Sequence, residues 1–156
     1  MAKQKKIDFI GILKKSIKNG SMEEWNRQAE KWREQGIKID LSGADLSGAN
    51  LRLADLSVAN LHGAILHNAN LIAADLRYSN LRAADLSGAD LGDAEYNSAT
   101  NFGGCVIDSA TQLPQQNPSL EALHARQQQL PQGQSGHAAR VEEKRGDNKK
   151  EERWRG

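Results

Sequence analysis

Residues 44–56 read ADLSGANLRLADL and carry leucine at positions 46, 51 and 56. A period of five belongs to neither a helix nor a strand. A helix turns ~100° per residue, so steps of five rotate ~140° and would spread the leucines over every side. In one flat strand an odd spacing sends successive leucines to opposite faces. Within a unit, however, Ala44 and Leu46 lie two apart and share one face of an extended segment, while Asp45 points the other way. The two residues that follow, often Ser-Gly, must then turn the chain so that the next pair also faces inward. Gly43, Gly48, Gly63 and Gly88 suit a turn position with positive φ. The reading is a chain that winds around a leucine core, a solenoid.

The register runs without a slip through Leu41, Leu46, Leu51, Leu56, Leu61, Leu66, Leu71, Leu76, Leu81, Leu86 and Leu91, and Tyr96 extends it to twelve units. These residues are the expected core. Two positions before each stands a small residue: alanine in ten units, Ser79 once, with Ile39 leading. Asp or Asn fills the place between them in ten of the twelve, the exceptions being Ile65 and Glu95. Beyond Tyr96 the pattern degrades. Ala99–Phe102 and Ala110–Leu113 each hold one extra residue, and Cys105 falls at the small inward position, which reads as a buried structural thiol.

This A(D/N)Lxx repeat resembles that of the pentapeptide-repeat proteins. The resemblance implies an all-β solenoid: a right-handed, four-sided parallel β-helix of about three to four coils, regular over 39–98 and degenerate over 99–113. Four units would make one coil, so residues 20 apart would stack, and three coils would stand ~14 Å tall. It also implies repeats without an obvious biochemical activity, and a bacterial setting.

An open solenoid end exposes core and backbone groups and needs a cap. Residues 1–38 are expected to supply it as an N-terminal helical region. Ser21–Glu24 reads as a capping box, Met22, Trp25, Ala29 and Trp32 follow at helical spacing as the lid, and Gly36 suits the stop. Upstream, Phe9, Ile10, Leu13 and Ile17 form a stripe among lysines. A basic amphipathic helix over residues 5–18 is a second cap or, alternatively, a peripheral membrane anchor. Residues 114–156 hold too few aliphatic residues for a core and read as a mostly disordered low-complexity tail, with 119–130 the one stretch suited to a short helix.

Charge narrows the function. Residues 1–38 carry ten basic and five acidic groups, and residues 39–98 carry three and eight. A basic head on an acidic body argues against nucleic-acid binding. A lone cysteine and the lack of an apolar run of ~18 residues or a signal peptide fit a cytoplasmic protein. His62 and His67 sit on adjacent corners and diverge, so no metal site is expected. No spacing selects a triad or a phosphate loop. The expectation is a protein with no catalytic residues, no cofactor and no enzyme activity.

What remains is surface binding, by a rigid scaffold module that is a monomer or a weak end-to-end dimer. One face departs from the repeat's habits. Its central column is Asp55, Asp75 and Glu95, and its edges carry Leu53 and Ile72 on one side and Val58 and Tyr78 on the other. Val58 disfavours positive φ, which predicts a different turn at its corner. The partner is expected to be a protein. The resemblance adds an alternative, since some members of the family mimic duplex DNA and act on gyrase. An acidic height of ~14 Å matches only ~4 base pairs at 3.4 Å each, which weighs against it.

Overall fold

The computed structural model describes residues 7–114 together with 125, 128, 129, 139 and 140. Two helices open the chain, α1 (Phe9–Asn19) and α2 (Glu23–Glu34). The Asp8 carboxylate caps α1 by accepting the Gly11 N–H at 2.9 Å. Gly20, at φ 71°, closes it, with Gly20 N–H donating to Ile17 O and Ser21 N–H to Ser16 O. The end of α2 repeats that arrangement: Gly36 N–H donates to Arg33 O and Ile37 N–H to Trp32 O. Its start differs from the capping-box reading. The cap position is Met22, and Ser21 Oγ accepts only a 3.3 Å bond from Glu23 N.

Leu13, Trp25, Ala29 and Trp32 are buried, and Phe9, Ile10, Ile12 and Ile17 pack against the same core. Phe9 meets Trp32 edge-on at 4.9 Å, and Trp25 meets Trp32 at 5.6 Å. The apolar stripe of α1 is therefore folded onto the core.

From Ile39 onward the chain winds in steps of four units. Residues 20 apart are joined by parallel bridges in four columns: Asp40–Asn60–Asn80, Asp45–Ile65–Asp85, Asn50–Asn70–Asp90 and Asp55–Asp75–Glu95. The bonding is the same at each place. Leu41 N–H donates to Asn60 O and Asn60 N–H to Ile39 O, both at 2.8 Å, and the other columns repeat this. Every leucine of the five-residue register, from Leu41 to Leu91, is at most 2% exposed, and Tyr96 is 7% exposed. Burying each leucine stabilises by about 1.5–3 kcal/mol against the unfolded chain, before entropy.

The expected all-β fold, a four-sided parallel β-helix or solenoid, is corrected by the secondary structure. Among the described residues the regular elements are mainly the two helices, and strand is confined to β1 (Val106–Ile107) and β2 (Ala139–Arg140). Each repeat unit contributes an isolated one-residue bridge between turns, not a strand of a sheet. The reason lies in the period itself. A turn occupies two of every five residues, so pairing stops before a ladder forms.

The extra residues near the end are absorbed locally. Bridges Asn80–Asn101 and Asp85–Val106 span 21 residues, and Asp90–Gln112 spans 22. At each insertion a threonine takes the inward place of alanine. Thr100 Oγ1 donates to Leu76 O at 2.9 Å and Thr111 Oγ1 to Leu86 O at 3.0 Å, so the buried hydroxyls are satisfied. Cys105 is fully buried. Most of the tail expected to be disordered, and nearly all of 119–130, lies outside the described residues. Ala139–Arg140 is the departure from that expectation, since it pairs antiparallel with β1.

Candidate interaction surface

The outward Asp and Asn residues have a local task that their spacing did not disclose. In all ten units that carry one, the side-chain oxygen accepts the backbone N–H two residues on, as Asp40 does from Ser42 at 3.0 Å, Asn70 from Ile72 at 3.0 Å and Asp85 from Ser87 at 3.0 Å. They hold the turns. Asn80 Nδ2 also donates to Asn60 Oδ1, and Asn60 Nδ2 to Asp40 Oδ1, both at 3.1 Å, tying successive windings. Much of the acidity of residues 39–98 is thus turn chemistry.

Parallel bridges join Asp55, Asp75 and Glu95 in one column, but it is not a bare acidic strip. Arg33, from α2, reaches Asp55 at 2.6 Å and also donates to Ser57 Oγ at 2.8 Å. Arg77 forks onto Asp75 at 2.9 and 2.6 Å and lies 3.6 Å from Glu95. Burial pushes the Asp75 carboxyl up, but the Arg77 hydrogen bonds and the Arg77 and Arg33 charges outweigh it, and its pKa falls below the usual range. Arg33 is held more firmly protonated by its bond to Asp55.

The helical lid meets this same side. In the regular pattern the N–H and C=O of each bridging residue bond to the preceding winding, and Asp55 has no preceding repeat. Asn26 Oδ1 accepts its N–H at 2.8 Å and Trp25 Nε1 donates to its C=O at 2.8 Å. Asn26 Nδ2 donates to Leu53 O at 2.9 Å. Side chains of α2 thus stand where an earlier winding would. Of the expected lid residues, Trp25, Ala29 and Trp32 are buried on the α2 side and Met22 at its start.

The apolar corners divide. Leu53, Val58 and Tyr78 are 57%, 51% and 62% exposed, whereas Ile72 is only half-buried beside them. Ile65, a position the sequence reading set aside as an exception, is also exposed but lies in the Asp45–Asp85 column, away from them. The different turn expected at Val58 is not found. Val58 has φ 62°, Leu53 62° and Tyr78 61°, matching Gly48 at 62° and Gly63 at 64°. The corner is fixed by the bonds around it, with Ala59 N–H donating to Leu56 O and Val58 N–H to Arg77 O. A recess of about 300 Å³ beside Leu53 is lined by Met22, Asn26, Asn50 and Arg52.

His62 and His67 are exposed on neighbouring corners, and among the described residues no group of metal-ligating side chains converges. Nor, among them, is any helix long and apolar enough to cross a membrane.

Repeats that build their own turns and core, with a few departures on one side, define a repeat protein. The chain belongs to the pentapeptide-repeat family. The model of Pentapeptide repeats matches in eight copies over residues 39–77 and 64–95. A pentapeptide repeat protein from Nostoc PCC 7120 is 38% identical over 54% of this chain and 69% of that one, with a TM-score of 0.49. Rfr23 from the cyanobacterium Cyanothece 51142 is 38% identical over 47% of this chain and 52% of its own, with a TM-score of 0.33. HetL from Nostoc sp. strain PCC 7120, a protein involved in heterocyst differentiation regulation, is 31% identical over 46% and 40%, with a TM-score of 0.20. The chain thus spans about half or less of the length of these last two. No curated protein matches it.

Proposed function

We propose that the protein is a non-catalytic protein-binding module whose contact surface is formed by Leu53, Val58 and Tyr78 around the Asp55–Asp75 face. Members of the family are generally non-catalytic and protein-binding, which supports the coarser half of this reading. The observation that carries the finer half is conformational. Three large side chains are held at positive φ on exposed corners. A non-glycine residue costs roughly 1–2 kcal/mol in that region, and glycine at Gly43, Gly48, Gly63 and Gly88 avoids the cost at equivalent corners. Side chains more than half exposed return little of it through burial. Asn68, Ala73, Ala83 and Asp93 also hold positive φ, so it is the bulk and exposure of these three at such corners, and not positive φ alone, that points to use of that surface. The recess beside Leu53 offers a seat for a partner's apolar side chain, and the paired charges of Arg33, Arg77 and their carboxylates supply a polar rim.

The test is affinity capture from a bacterial lysate with wild type and a Leu53→Gly/Val58→Gly/Tyr78→Gly variant. A protein held by wild type and released by the variant supports the reading. Identical capture by both would place binding elsewhere.

A further inference from the structure

Between α1 and α2 lies a cleft of about 710 Å³, within the range of small-molecule sites. One wall comes from α1, where Ile12, Lys15 and Ser16 recur at helical spacing, with Ile7 just ahead of the helix. The other comes from α2, where Glu24, Arg27, Gln28 and Trp32 do the same. Two of these residues are buried yet carry a polar group without a partner. Ser16 is 4% exposed, and among the described residues its hydroxyl makes no hydrogen bond, not even to the carbonyl four residues back that a helical serine can take. Trp32 is 7% exposed and its indole N–H likewise has no acceptor among them, whereas Trp25 donates to Asp55 O. Neither atom is sealed from solvent. Buried polar groups are as a rule satisfied, so two left open on the facing walls of one cleft point to a ligand.

The chemistry of the walls says which kind. Trp32 Nε1 can only donate, and so can the Lys15 ammonium, which enters no ion pair among the described residues. Ser16 Oγ completes a set of three donors. The acids of the lining do not cancel them. Glu24 is taken up by an ion pair with Arg27 and by Gln28 Nε2 at 3.0 Å. Glu23 stands at the turn between the helices, where it also borders the recess beside Leu53. Helix α1 carries three lysines and no acid, so the field on its side is positive. A negatively charged acceptor is therefore favoured over an ammonium. Ile7, Ile12 and the Trp32 ring offer apolar surface next to the donors. We infer that the cleft between α1 and α2 binds a small amphipathic carboxylate, its anionic head on Lys15, Ser16 and Trp32 and its hydrocarbon body along Ile7 and Ile12. The corners at Leu53, Val58 and Tyr78 take no part, so this site stands or falls apart from the protein-binding reading.

The test titrates sodium octanoate, octylamine and 1-octanol into the full chain and follows the Trp32 indole N–H by NMR. Octanoate is expected to shift it saturably, with a Kd on the order of 1 mM or tighter, and the other two are expected to bind at least tenfold more weakly. Ser16→Ala and Lys15→Gln each remove one donor whose side chain bonds to nothing else among the described residues, and both replacements suit a helix, so the fold is kept. Each is expected to weaken octanoate binding about tenfold. Octylamine or octanol binding as tightly as octanoate would reduce the cleft to an apolar hollow and overturn the proposal. Unchanged octanoate binding in either variant, or no saturable shift at Trp32, would overturn it too.

Discussion

Asp75 and Asp108 show how single side chains tie this fold to pH. Burial pushes Asp108 up, but bonds from Gly88 N–H, the Thr111 hydroxyl and the N–H groups of Ala110 and Thr111 outweigh it, and its pKa is lowered; Arg77 does the same for Asp75. A carboxyl with a depressed folded pKa stabilises above its unfolded value near ~3.9, and that contribution is lost as pH falls through the folded value. The urea midpoint is therefore expected to be level from pH 7 to about 5 and to drop below pH 4, and Asp108→Asn is expected to flatten that drop. A second prediction concerns the turn role. Asn70→Ala removes the bond to Ile72 N–H and is expected to cost about 0.5–1.5 kcal/mol in equilibrium unfolding. This role was hidden from the sequence. Alternation places Asn70 outward, but it does not say that its oxygen returns to the backbone two residues later.

Among the elements, α2 is the one whose sequence told half the story. The spacing of Trp25, Ala29 and Trp32 marks a buried helix face, and all three are buried. Asn26 and Arg33 lie beside that face, and no motif or spacing in the sequence assigns them a role. Yet Asn26 makes two bonds to the Leu53–Asp55 edge and Arg33 neutralises Asp55. No periodicity links positions 26 and 33 to 55, so only the packed geometry reveals it. Asn26→Ala leaves an edge N–H and C=O without their helix partners, and a loss of about 1–3 kcal/mol is expected, with faster exchange of the Asp55 amide. The same limit explains the strands. An Ala-x-Leu step looks extended, but turns on both sides cut it to one bridge, while β2 carries no pattern that would announce a strand.

Taken as a whole, the molecule separates what folds it from what it shows outward. Leucines and alanines fill the interior, Asp and Asn fix the turns, and α2 completes the first edge at Leu53–Asp55. All of that repeats or supports repetition. The side chains of Leu53, Val58 and Tyr78 do neither, and the account's central claim is that their bulk serves a partner rather than the fold. Equilibrium urea unfolding of Leu53→Gly/Val58→Gly/Tyr78→Gly, beside the core change Leu66→Ala, tests this most directly. Relief of positive-φ strain offsets the added freedom of the unfolded glycines, so the triple variant is predicted to stay within about 2 kcal/mol of wild type, while Leu66→Ala loses about 2–5 kcal/mol. A triple variant as unstable as Leu66→Ala would show that the corners hold the structure together, and the claim would be contradicted.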